Sequence, residues 1–189
     1  MEDGYSTSLK GQFLIAMPGL LDPNFFQTVT CISEHTEAGA VGLVINRHHG
    51  LVSAKDIFDE LRLECAPGAE SIPVHVGGPV HINEIFVLHG LPFQWEGCLP
   101  ITAQLAMSNT MDILAAIAKG QGPAAFLITL GCAGWGAGQL EAEIRENAWL
   151  TGPADEEVAF DTPIDLCWET AVRKIGIDPA SLSGTAGHA

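Results

Sequence analysis

The stretch AAFLITLGCAGWGAGQLEAEIREN, residues 124–147, decides how the chain is to be folded. AAFLITL (124–130) is an apolar run of strand length. Four glycines follow between Gly131 and Gly138. QLEAEIREN then repeats its apolar residues at helical spacing, with Leu140, Ile144 and Ala148 on one stripe. The reading is strand, glycine-rich turn, helix, with Cys132 at the end of the strand. Nucleotide-binding loops and activated thiols both use that arrangement, so each is weighed against these residues.

A phosphate loop needs a lysine that reaches the outer phosphates. No lysine lies between Lys119 and Lys174. A dinucleotide loop needs Gly-x-Gly-x-x-Gly, but the spacing here is Gly134-x-Gly136-x-Gly138. The indole of Trp135 also stands where a pyrophosphate would approach the backbone. A nucleophile elbow would require glycine at position 130, which is leucine. The glycines therefore predict a tight packing joint. Cys132 is a candidate redox thiol, because a helix N-terminus ahead of it lowers thiol pKa values, set against the simpler reading of a buried thiol. On the helix, Glu141 is spaced to pair with Arg145, and Glu143 flanks the stripe beside Asn147, either on a solvated face, the first expectation, or as a hydrogen-bonding group at the buried rim. The two carboxylates diverge by about 200° at helical periodicity, which excludes a catalytic pair.

Outward from this stretch, GQFLIAM (11–17) reads as a strand ended by Pro18-Gly19. TVTCIS (28–33) and AVGLVIN (40–46) form a hairpin around EHTEAG. Ser53 caps a helix over 54–63 that buries Ile57, Phe58 and Leu61. IPVHVGGPV (72–80) and EIFVLHG (84–90) suggest a second hairpin with HIN between them. A helix over 108–119 turns Met111, Leu114, Ile117 and Ala118 inward and stops at Gly120. EVAF (157–160) reads as a short strand. A last helix starts with Thr162 as cap, Pro163 in the first turn and Asp165 behind it, burying Trp168, Val172 and Ile175. Early strands followed by interspersed helices give an α+β fold rather than a doubly wound sheet. No linker or repeat divides residues 1–189, so one domain is expected, with 1–10 as an N-terminal extension.

Composition narrows the function classes. Twenty-three acids against eight bases give a net charge of −15, and residues 141–165 hold eight acids with Arg145 the one base. Such a field repels phosphate backbones, which argues against direct nucleic-acid binding. Five cysteines at 31, 65, 98, 132 and 167, without any Cys-x-x-Cys, suit reduced thiols. No apolar run reaches membrane-spanning length, and the acidic N-terminus is unlike a secretory signal, so the cytoplasm is the expected compartment. The histidines suggest no metal and no cofactor: Cys31–His35 reads as a strand end, His48-His49 as a solvated turn, and His75, His81 and Glu84 only as a group that could meet across the second hairpin. No serine has hydrolase context.

FLIAMPGLLDPNF, CISEH followed by GAVGLVIN, VHVGGPV, LGCAGWGAGQLEAEIRENAWL, TPIDLCWETAVRKIGID and the closing GHA together resemble the AlgH/YqgE family of bacterial proteins, in order along essentially the whole chain. The resemblance implies a single α+β domain with a curved, barrel-like, antiparallel-rich sheet flanked by about four helices. It also implies a cytoplasmic protein with no established activity or cofactor, in a family labelled as transcriptional regulators, and tyrosine as the common residue at position 132. Carried over motif by motif, the binding-surface candidates are Asp22, Pro23, Phe25, His35, Asn46, Gly77, Gly78 and Pro79, completed by Gly134, Trp135, Gln139, Glu141 and Glu143. The expected function is a non-enzymatic regulatory or binding module acting through a protein or small-ligand partner, of no specified oligomeric state. That reading predicts an exposed groove or apolar patch beside Trp135 without converging titratable groups. A small-molecule enzyme or thiol sensor would instead bring two of Cys132, His35 and Glu143 into hydrogen-bond reach in a pocket. Direct DNA regulation is the third alternative.

Overall fold

The computed structural model describes residues 8–182. Nine strands form one sheet: β1 (Gln12–Ala16), β2 (Val29–Thr36), β3 (Gly39–Val44), β4 (Val74–Val76), β5 (Val80–His89), β6 (Leu99–Pro100), β7 (Ala106–Ser108), β8 (Phe126–Gly136) and β9 (Trp149–Pro153). The order is β6-β7-β5-β8-β3-β2-β1-β9, with β4 against β8 off this path. The helices among the described residues include α1 (Ala54–Glu60), α2 (Met111–Ala118), α3 (Gln139–Arg145) and α4 (Cys167–Lys174). The architecture is mixed α+β, as the order of elements in the sequence indicated, around a curled half-barrel sheet, as the resemblance implied.

The organising strand is β8, and it corrects the reading of the opening stretch. The strand does not end at Leu130 but runs through the glycines to Gly136. Pairing overrides the low strand propensity of glycine. Ile128–Leu130 lie beside β4 in parallel, Phe126–Leu130 pair with β5, and Ala133–Gly136 pair with β3. The turn is reduced to Ala137-Gly138, and α3 begins at once. Cys132 is therefore a mid-strand residue, away from any helix N-terminus.

At Gly131 the strand changes neighbours with φ +74°. Two chain segments cross here at backbone contact. A Cβ on Gly77 would stand 2.2 Å from the Gly131 carbonyl oxygen, and one on Gly78 would stand 2.4 Å from the backbone of Cys132. No other residue fits such distances. VGGPV and LGCAG are thus two sides of one contact.

Other expectations shift with it. Segments 72–80 and 84–90 do not form a hairpin, since β4 and β5 both pair with β8. HIN belongs to β5, inside a bulge between the pairs Val80↔Cys132 and Ile85↔Leu130. The β2–β3 hairpin continues to Thr36↔Gly39, which shortens its turn to two residues. EVAF is not a strand: Glu157–Asp161 form a π-helical turn in which Thr162 N–H donates to the Glu157 carbonyl, while Asp155 Oδ1 accepts from Val158 N–H. Thr162–Asp165 precede α4 rather than capping it. Ser53 and Asp56 complete a reciprocal cap on α1, which ends at Glu60. Met111 is half exposed because it opens α2, whose buried face is Ile113, Leu114, Ile117 and Ala118.

Burial is divided by the curl. Phe13, Ile15, Leu43, Leu88 and Leu105 pack inside it against Val158, Ala171 and Val172 from the π-turn and α4. Phe58 of α1 and Ile113 and Ile117 of α2 cover Val87 and Ile128. Leu140 of α3 joins Leu14, Ile32, Trp135 and Trp149 in a third cluster, and that cluster carries most of the candidate site.

Candidate functional site

Trp135 sits near the end of β8 and Trp149 opens β9, with the short α3 between them in sequence. Glu143 lies one turn into α3 and faces back onto both. Its Oε2 accepts from Trp135 Nε1 (2.9 Å) and Trp149 Nε1 (2.8 Å), and its Oε1 accepts from Gln139 Nε2 (2.9 Å). Gln139 Oε1 in turn accepts from Gly136 N–H at 3.0 Å. Of the two roles open to Glu143, the structure shows the hydrogen-bonding group at the buried rim rather than a solvated carboxylate, and it is the acceptor that ties helix to sheet. Phe25 stacks on Trp135 (centroids 5.9 Å apart) and meets Trp149 edge-on at 5.5 Å. This aromatic triad has its polar atoms satisfied internally.

Glu141 points elsewhere, as its spacing required. His35 Nδ1 accepts from Leu9 N–H at 2.9 Å, so the ring proton belongs on Nε2, which donates to Glu141 Oε1 at 2.8 Å. Its own backbone N–H first, and then His35, hold the Glu141 carboxyl below the usual carboxylate range. Arg145 adds only a longer-range attraction. Ser8 Oγ also donates to the His35 carbonyl. Residues 8–10 are therefore anchored rather than an extension, and 1–7 lie outside the described residues, as does the closing GHA.

The first loop is held from below. Asp22 Oδ1 accepts from Asn24 N–H (2.8 Å), and Asn46 bridges Val29 N–H and the Gln27 carbonyl. Arg47 donates to the carbonyls of Pro23 (2.7 Å), Asn24 (2.9 Å) and Phe26 (3.1 Å). Sequence reasoning missed Arg47 and Trp149; the scarcity of bases was the one signal for the arginine. Gly77, Gly78 and Pro79 lie at the crossing over β8 rather than beside the triad. Gly134 is exposed on β8, with Val80 the neighbour a Cβ there would meet.

Cys132 pairs with Val80 of β5 and is 4% exposed, and burial, then Glu84, push its thiol above the ordinary range. Burial alone pushes Cys31 up to about 12, and burial with Asp155 does the same for Cys167. These thiols stay protonated at neutral pH. A second cluster went unforeseen: His89 Nδ1 donates to the Gly90 carbonyl (2.7 Å), leaving Nε2 to face Ser108 Oγ (2.9 Å) and, more distantly, Cys98 Sγ (3.9 Å). Ser108 is 1% exposed and burial lowers the His89 pKa, so the pair is closed off from solvent and its imidazole favours the neutral form. His81 and Glu84 meet at 3.1 Å on the surface, while His75 stacks on His48 at 5.1 Å on β4, so the three do not converge. No group of three or more metal-binding side chains occurs among the described residues. No helix there is long and apolar enough to cross a membrane.

Beside Trp135 a groove of about 240 Å³ runs along the β2–β3 hairpin, lined by Glu34, Thr36, Ala38, Ala40 and Val41. Glu34 is its one titratable side chain.

A half-barrel sheet with a helix latched through paired indoles defines a mixed α+β protein whose signature residues chiefly brace one another. A family model described as AlgH-like matches residues 13–180, and the chain belongs to that family. It is 50% identical over 181 residues to a UPF0301 protein of Desulforapulum autotrophicum, covering 96% of each chain. It is 47% identical over 191 residues to one from Pseudomonas aeruginosa, covering both chains fully. The solution structure of the AlgH protein from Pseudomonas aeruginosa superposes with a TM-score of 0.78 at 46% identity, over the whole of both chains. A crystal structure from Corynebacterium diphtheriae shares the fold at 20% identity, with a TM-score of 0.71 over 92% of this chain and 89% of that one.

Proposed function

We propose that the protein is a non-enzymatic cytoplasmic binding module with a regulatory role, and that a protein or small-ligand partner docks in the groove beside Trp135. The observation that carries this reading is the groove itself, set against a network whose polar groups are already paired. His35 bonds Glu141 rather than Glu143, and Cys132 is buried and protonated, so the arrangement supports binding better than catalysis. Regulation through direct DNA contact is disfavoured by the net charge of −15. The test is affinity capture from lysate by wild type and by Thr36→Arg, an exposed substitution that obstructs the groove. A specific partner recovered by wild type and lost with the folded variant is the expected result. Equal recovery by both overturns the proposal.

A further inference from the structure

We propose that a second site, the cleft between β4, the start of β8 and the π-helical turn Glu157–Asp161, binds a small neutral aromatic molecule bearing one hydroxyl, with His75 as its polar contact. The cleft encloses about 350 Å³, lies apart from Trp135 and is independent of the groove. Its walls include Ile72, Phe126, Leu127, Val158 and Phe160, an apolar lining with two aromatic rings of the kind that takes flat ligands. A π-turn replaces regular structure along one wall, a distortion that recurs at functional sites.

His75 supplies the specific handle. It lines the cleft and is 6% exposed, and its Nδ1 makes no hydrogen bond of ordinary geometry among the described residues, the Ile128 carbonyl giving the ring only a weak backbone contact. A buried polar atom left unpaired costs stability, and a ligand that pairs with it recovers that cost on binding. A hydroxyl serves either tautomer of the ring, since it both donates and accepts. Desolvation, then the neighbouring His48, lowers the His75 pKa to about 4, so a neutral ring offers no charge to a carboxylate ligand. The net charge of −15 further disfavours an anion.

The probes are 2-naphthol, naphthalene and 2-naphthoate, followed by methyl resonances of the full-length protein. 2-Naphthol should shift Leu127, Val158 and Ile164, naphthalene should bind roughly 3- to 10-fold more weakly for want of one hydrogen bond, and 2-naphthoate should leave the spectrum unchanged. His75→Leu should equalise 2-naphthol and naphthalene. Should that variant not fold, Ile164→Trp at the half-buried rim closes the cleft and must abolish the shifts. Shifts elsewhere, no shifts, or a hydroxyl preference that survives His75→Leu would each overturn the proposal.

Discussion

Replacing Glu143 by alanine removes the acceptor of two indole N–H groups at once. Trp135 and Trp149 are 6% and 4% exposed, so water cannot readily take over either bond. Each stranded donor costs roughly 1–3 kcal/mol. Since both lose the same partner, the sum is not strictly additive, and a total of about 2–5 kcal/mol is expected. Glu143→Gln keeps a carbonyl oxygen for the indoles and should cost about 1 kcal/mol. The assay is equilibrium urea unfolding followed by circular dichroism, with unchanged m-values as the check that the same transition is compared. Trp149→Phe in both backgrounds completes a cycle: removing the donor should cost less once Glu143 is gone. An alanine variant within about 0.5 kcal/mol of wild type would refute the latch, since that is the ordinary effect of a surface substitution.

Three further outcomes follow from the same structure. Because His75 titrates near 4 when folded against 6.5 when free, the unfolded chain binds the extra proton in between. Stability should therefore fall by about 3 kcal/mol as pH drops from about 6.5 to 4, and His75→Leu should flatten that part of the urea-midpoint profile. In native protein at neutral pH, a thiol reagent read by mass spectrometry should modify exposed Cys65 while sparing Cys31, Cys132 and Cys167; rapid labelling of Cys132 would contradict its burial. Gly77→Ala should cost more than about 3 kcal/mol or prevent folding, because its methyl meets backbone; a variant that unfolds like wild type would contradict the crossing.

How much of this was legible depended on whether the cause was local. The cap of α1, the apolar stripe of α3 and the existence of the β2–β3 hairpin, though not its extension to Thr36 and Gly39, follow from neighbouring residues, and the sequence showed them. The run through Gly136 did not, because glycines in a strand resemble glycines in a turn until their distant partners β3 and β5 are known. The same holds at the site. Helical geometry separated Glu141 from Glu143, yet the choice of His35 for one and two indoles for the other depends on contacts up to 106 residues apart in sequence. Val158–Phe160 misled for the converse reason: a strand-like composition met no strand to pair with and wound into a π-turn.

The placement of β8 also sets a timetable for synthesis. Residues 126–136 bond to strands made long before them, so β3, β4 and β5 leave the ribosome with an edge that nothing yet covers. Two-thirds of the chain is made before β8 even begins at Phe126, and until Gly136 has emerged the central seam is open, a period in which sticky edges favour association with other chains. Synthesis that pauses before codon 126 should therefore yield material that depends on chaperones more than a pause after α3 does, when only β9, the π-turn and α4 are still to cover the core. The residues that close the seam are the last large part of the sheet to arrive, which makes this protein's vulnerability a matter of when as well as of where.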